Sequence, residues 1–145
     1  MRDILVPVSP GELLDKITIL RIKAARITDP AKLGNIATEL DLLASIWRES
    51  GCAAPADSQA AQALAADERA LEAVNEKLWD IEDRIRAKEL AQRFDAEFIE
   101  LARAVYLSND ERAAIKKRIN VRLGSRIVEE KSYASYRRSV YSAPQ

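Results

Sequence analysis

Ser9-Pro10-Gly11-Glu12-Leu13-Leu14-Asp15-Lys16-Ile17-Thr18-Ile19-Leu20-Arg21-Ile22-Lys23-Ala24-Ala25-Arg26-Ile27 opens on a helix start and continues with a helical period. Ser9 is an N-cap residue, Pro10 fits the first helical position, and Glu12 completes an S-x-x-E capping box. Val8, just before the cap, is placed to staple against Leu13. Leu13, Ile17, Leu20, Ala24 and Ile27 then recur at spacings of four and three, which predicts one buried stripe. Ile19 and Ile22 lie off that stripe, beside Asp15 and Arg26. A helix apolar on two sides belongs at the centre of a bundle, so Asp15, Lys16, Lys23 and Arg26 must be paired, snorkel, or line a polar cleft. Gly11 weakens the helix and hints that something approaches the backbone there.

The rest of the chain reads as helices around this one. Asp29-Pro30 starts a second helix to about Glu49, with Leu33, Ile36, Leu40, Leu43 and Trp47 as its stripe and Gly51 as its stop. The short connection predicts an antiparallel pair. Residues 51–66 read as a loop followed by an alanine-rich, low-information segment. A long third helix is expected from about Ser58 to Leu90. Leu64, Leu71, Val74, Leu78, Ile81 and Ile85 give it a heptad-like stripe, suited to its own chain or to a second copy. Its facing line is polar: Asn75, Trp79, Glu82, Arg86 and Glu89. A fourth helix starts at Asp95, with Phe94 set to staple on Ile99, and ends near Tyr106. A second S-x-x-E box, Ser108-Asn109-Asp110-Glu111, predicts a fifth helix ending at Gly124, with Asn109, Arg112, Lys116 and Asn120 as its polar line. Asp3 to Val8 read as a short extended arm. The tail is expected to pack Ile127, Val128 and Tyr133 and to fray over 134–145. The expected fold is all-α: about five helices in an irregular antiparallel bundle, as one domain over residues 1–145.

Composition narrows the chemistry. Lys plus Arg and Asp plus Glu number 23 each, so nucleic acid is not an expected partner, nor is a membrane surface. No run approaches the ~20 apolar residues of a membrane span, and the N-terminus lacks a leader pattern; a cytoplasmic location is expected. Histidine is absent, which removes Ser-His and Cys-His nucleophile pairs and imidazole-ligated metals. The single cysteine, Cys52, supports neither an internal disulfide nor a thiolate zinc site. It reads as a loop thiol.

Three kinds of site remain. Asp80 and Asp83, one turn apart and near Glu82, have the spacing to share a Mg²⁺ ion; the competing reading is solvated ion pairs, and no cofactor is expected. Asp15, Lys16, Lys23, Arg26, Asn75, Trp79, Glu82, Asp83, Arg86, Asn109, Arg112, Lys116 and Asn120 are the candidate lining of a polar cleft. Such a cleft suits an anionic small molecule or a partner protein; the competing reading is an ion-pair network between helices. The third is a homodimer surface on the long helix. The ExxE then ExxD order of all-α nucleotide pyrophosphohydrolases is not met, since Glu97-x-x-Glu100 has no ExxD after it and Glu12-x-x-Asp15 precedes it. A chorismate-mutase-like cluster of Arg and Lys has no diagnostic spacing here.

Pro7 to Leu20, Val74-Asn75-Glu76-Lys77-Leu78-Trp79-Asp80-Ile81-Glu82-Asp83, Phe94-Asp95 with Phe98 to Ala102, Asn109-Asp110-Glu111-Arg112, and Val128 to Tyr133 together resemble a bacterial family of unknown function, the domain of unknown function 6165. The resemblance implies a stand-alone helical domain and carries over no catalytic residue. The expected function is a cytosolic helical binding module with an Arg/Lys/carboxylate cleft beside Trp79. A small Mg²⁺- or Arg-assisted enzyme acting on a phosphorylated metabolite, or a structural dimer module, are the alternatives.

Overall fold

The computed structural model describes residues 3–52, 55 and 57–136. Its described residues form four helices and no strand: α1 (Pro10–Arg26), α2 (Pro30–Glu49), α3 (Gln59–Leu90) and α4 (Ala96–Arg122). Each begins where a short polar side chain can take up an orphan backbone N–H. Ser9 Oγ accepts from Glu12, Asp29 Oδ1 from Lys32, Ser58 Oγ from Ala61 and Asp95 Oδ1 from Phe98, at 2.9–3.2 Å. Past α2 and α4 the chain turns through Gly51 (φ 71°) and Gly124 (φ 63°), left-handed backbone that favours glycine.

The expected fourth and fifth helices are one continuous α4. Ser108 caps nothing; it lies inside the helix, 1% exposed. No Gly or Pro interrupts residues 96–122. The buried positions Leu101, Ser108, Ile115 and Ile119 follow one another at seven, seven and four residues, so a single face runs the length of the helix. A serine on the core stripe mimicked a cap.

α3 and α4 run antiparallel. Arg84 pairs with Glu97 near their connection, Lys77 with Glu111 further along, and Asp67 with Arg118 and Arg122 at the far end. α1 also runs against α4, since Glu12 meets Lys116 while Asp15 meets Arg112. Leu14, Leu64, Leu71, Val74, Ile115 and Ile119 make the core where these three helices meet, with Trp47 of α2 packed against it. The heptad-like stripe of α3 is therefore buried within its own chain. Burying six such side chains, at about 1.5–3 kcal/mol each, is the main stabilising term around the site.

α2 lies along α1, and Trp47 carries it onto the core. Ile36 is its only fully buried side chain among the described residues; Leu33, Leu40, Leu43 and Trp47 are half-buried. In α1 the stripe holds for Leu13, Ile17 and Leu20, whereas Ala24 is exposed and Ile22 is buried in its place. The staples differ too. Val8 is 40% exposed, and Phe94 meets Phe98 edge-on at 5.1 Å while Ile99 faces solvent. Cys52 is a half-buried free thiol.

Residues 3–8, the expected arm, are exposed and lie outside any helix or strand. The tail to Tyr136 folds back along α4: Glu129 pairs with Lys116, Glu130 with Lys117, and the Tyr136 ring lies 5.4 Å from that of Tyr106. Ion pairs and one ring contact hold it, not the expected apolar packing. Ile127 and Val128 are partly exposed and Tyr133 is 76% exposed. The part of the expected frayed segment beyond residue 136 lies outside the described residues. No helix is long and apolar enough to cross a membrane among the described residues.

Candidate functional site

The site is built from the crossing of α1 and α4. Gly11 permits it: a Cβ there would stand 2.5 Å from the Lys116 carbonyl oxygen and 2.8 Å from Asn120 Oδ1. Its N–H, an orphan donor of the α1 N-terminus, instead donates to Asn120 Oδ1 at 2.7 Å. The Glu12 carboxylate pairs with Lys116 Nζ at 2.8 Å, and Glu129 of the tail reaches the same ammonium at 3.0 Å. Burial alone would push the Lys116 ammonium down, but Glu12 and Glu129 outweigh it and raise it.

One turn along, Asp15 is buried, with 2% of its side chain exposed. Arg112 grips it with both edges of its guanidinium, Nε to Oδ1 at 2.8 Å and Nη2 to Oδ2 at 2.5 Å. The Asp15 hydrogen bond raises the Arg112 guanidinium, against the opposing pull of burial. Asn75 Nδ2 donates to Asp15 Oδ1 at 2.9 Å and to Thr18 Oγ1 at 3.1 Å, while the Thr18 hydroxyl donates to the Asp15 carbonyl. A carboxylate only accepts, so the nitrogen end of the Asn75 amide is the end turned toward Asp15.

Beside this network lies a cleft of about 430 Å³, lined by Ile19 and Ile22 of α1, Asn75, Leu78, Trp79, Glu82, Asp83 and Arg86 of α3, and Asn109 and Arg112 of α4. Helical spacing puts the α3 residues on one face, at 75, 78, 79, 82 and 86. Asn75, Trp79, Glu82 and Arg86 of the expected α3 line thus meet Asn109 and Arg112 of the expected fifth-helix line, in the second half of α4, whereas Glu89, Lys116 and Asn120 do not line the cleft. Arg86 is paired with Glu82 one turn back, and Arg112 Nη1 stands 3.5 Å from Asn109 Oδ1.

The other expected site residues lie elsewhere. Asp15 is buried behind Arg112 and Asn75. Lys16 is exposed and Lys23 half-buried, neither lining this cleft. Arg26 pairs with Asp80 at 2.9 Å. Lys116 and Asn120 hold the α1–α4 junction. Asp80 and Asp83, the candidate Mg²⁺ pair, line different clefts, Asp80 a second one of about 610 Å³ with Lys77, Arg84 and Glu97. Among the described residues, no group of three or more Asp, Glu or Cys has metal-holding geometry.

Sequence reasoning missed the apolar wall. Ile19, Ile22 and Leu78 face the cleft, and the signal was present in Ile19 and Ile22 lying off the main stripe of α1. It also missed Asp67, 5% exposed, which takes Arg118 Nε at 2.6 Å and Arg122 Nε at 2.9 Å. A carboxylate midway between Leu64 and Leu71 on the α3 stripe marked that position. The cleft is lined by an aromatic residue, Trp79, an aliphatic wall and several polar side chains, which suits non-covalent binding. No protein-family model, curated protein or solved structure matches the chain, so the site is read from its geometry alone.

Proposed function

We propose that the chain is a cytoplasmic binding module, an irregular antiparallel helical bundle whose cleft beside Trp79 holds a small molecule or a side chain of a partner protein. One observation carries this reading. Residues expected to be functional from separate stretches of sequence, Asn75 to Arg86 on α3 and Asn109 with Arg112 on α4, line a single cleft. The volume, about 430 Å³, falls within the ~300–1,000 Å³ of small-molecule sites. An anionic ligand, the expectation from the Lys, Arg and Asn lines on the helices, finds the two lining arginines already paired, Arg112 with Asp15 and Arg86 with Glu82. Binding is favoured over catalysis because the cleft holds no nucleophile–base pair among its lining residues.

The test labels both tryptophans, Trp47 and Trp79, with 5-fluorotryptophan and screens cationic, neutral and anionic compounds by fluorine NMR; Trp79→Phe assigns the signals. Compounds that move the Trp79 signal and leave Trp47 still would support the reading. A screen in which no compound of any charge moves Trp79 selectively would sink it.

A further inference from the structure

Resting on that reading, we propose that the cleft takes an organic cation, an ammonium or guanidinium on an aliphatic arm. Asp83 is its counter-ion, Trp79 its aromatic face and Asn75 Oδ1 an acceptor in the floor.

The charges decide the sign. Both lining arginines have partners, and the charge of Arg112 is balanced by the buried Asp15, which it grips with two of its five N–H groups. Arg86 and Glu82 satisfy each other. Asp83 remains: it is exposed, lines the cleft and stands in no ion pair or hydrogen bond among the described residues. The one uncompensated charge in the lining is therefore negative.

Asn75 points the same way by separate reasoning. It is 5% exposed and lines the cleft. Both protons of its amide are used, one on Asp15 and one on Thr18, and the acceptor-only carboxylate fixes which end faces inward. The end left for the cleft is the carbonyl oxygen, to which no described residue donates. That oxygen is not fully buried, so solvent can reach it, and a ligand N–H would take the place of water there. Trp79 supplies a ring face to which cations are attracted, and Ile19, Ile22 and Leu78 supply a wall for methylene groups.

The full chain carrying 5-fluorotryptophan is titrated with n-butylammonium, with the isosteric butyrate and n-butanol, and with Nα-acetyl-lysine methylamide, at constant ionic strength. Butylammonium is expected to move the Trp79 signal saturably, with butyrate and butanol at least about tenfold weaker, the factor a charge-assisted hydrogen bond supplies. Asp83→Asn, an exposed isosteric change, should cost butylammonium about tenfold in affinity while leaving the unfolding midpoint where it was. Lysine-derivative binding equal to butylammonium assigns the cation to a partner's side chain; preference for the free amine assigns it to a small molecule. Both outcomes support the proposal. Butyrate or butanol binding as tightly as butylammonium, or an Asp83→Asn variant that binds butylammonium unchanged, overturns it while leaving the cleft a binding site. If nothing moves Trp79, both readings fall together.

Discussion

Gly11→Ala is a substitution on which local propensity and tertiary packing disagree in sign. Gly11 sits in the first turn of α1, in ordinary helical backbone, so propensity alone makes alanine better by up to about 1 kcal/mol. Packing says otherwise. The new Cβ would stand 2.5 Å from the Lys116 carbonyl oxygen, an atom of the α4 backbone that cannot swing aside, and 2.8 Å from Asn120 Oδ1. The helices must separate at this crossing, and overpacking of that kind costs about 1–3 kcal/mol. Separation also stretches the Gly11–Asn120 hydrogen bond, and Asn120 is only 2% exposed; a buried acceptor losing its donor costs about 1–3 kcal/mol more. The sum, less the propensity gain, is a destabilisation of roughly 1–5 kcal/mol. At about 2–4 °C per kcal/mol for a chain of this size, the unfolding midpoint should fall by roughly 2–20 °C. Far-ultraviolet circular dichroism during urea and thermal unfolding measures both quantities. Gly34→Ala is the internal control. Gly34 lies within α2, exposed, with nothing within 4 Å of its built Cβ, so alanine there should stabilise by about 0.5–1 kcal/mol. A Gly11→Ala protein as stable as the parent would refute the close crossing of α1 and α4, and with it the placement of Asp15 against Arg112.

Arg112→Ala leaves Asp15 charged, buried and unpaired, and should cost about 3–5 kcal/mol in urea unfolding, with Arg112→Lys recovering part of it because one ammonium cannot replace a two-pronged grip; a loss under 1 kcal/mol, within the ~0–1 kcal/mol of a solvated surface pair, would count against the site. Asp67 gives the pH dependence: burial pushes its carboxyl up, but Arg118 and Arg122 more than reverse this and hold it below its ordinary value. Its folded value lies below the unfolded one, so its contribution is full above about pH 4 and is lost as pH falls through the folded value. Asp67→Asn should therefore lower stability near neutral pH and lessen the loss on acidification; stability–pH curves that run parallel for parent and variant would contradict this. Ser108→Ala should raise stability by about 1 kcal/mol, because the Ser108 hydroxyl is buried without a partner among the described residues and alanine is the better helix former. A true N-cap serine would give the opposite sign, a loss of about 1 kcal/mol, so one thermal melt separates a continuous α4 from a broken one.

The helix starts were legible because their information is local. A cap is a contact between a side chain and a backbone N–H three residues on, and Ser9, Asp29, Ser58 and Asp95 each form it. The same locality misled at Ser108. Ser-x-x-Glu is as compatible with a helix interior as with a start, and what decides is the face shared with Leu101 and Ile115, which points at α3. The α3 side of the cleft was legible because a 3.6-residue period puts Asn75, Trp79, Glu82 and Arg86 together on any helix they occupy. Its closure was not. Arg112 meets Asp15 across 97 residues of sequence, and no spacing rule reaches that far. Asp67 showed as a charge on an apolar stripe, which signalled a partner without naming Arg118 or Arg122.

That leaves the question posed by α1 itself: why a helix buried on two sides carries charge. Its six charged positions have different answers: Glu12 pairs with Lys116 and Arg21 with Glu68. Lys16 is exposed, Lys23 is half-buried, Arg26 reaches Asp80 on α3, and Asp15 alone is taken fully inside. Stability is a poor explanation for Asp15, since replacing a buried ion pair by well-packed aliphatic side chains is often neutral or stabilising. An aliphatic pair would fill the same space. It would not supply the acceptor that holds the Asn75 nitrogen inward, nor the clamp that keeps Arg112 engaged at the cleft. With Asp15 present, the carbonyl of Asn75 is the end left for the cleft and the charge of Arg112 is spent. With a leucine there, Asn75 would be free to turn and Arg112 free to meet an anion. If the cleft takes a cation, as proposed above, the buried carboxylate sets its polarity without lining it.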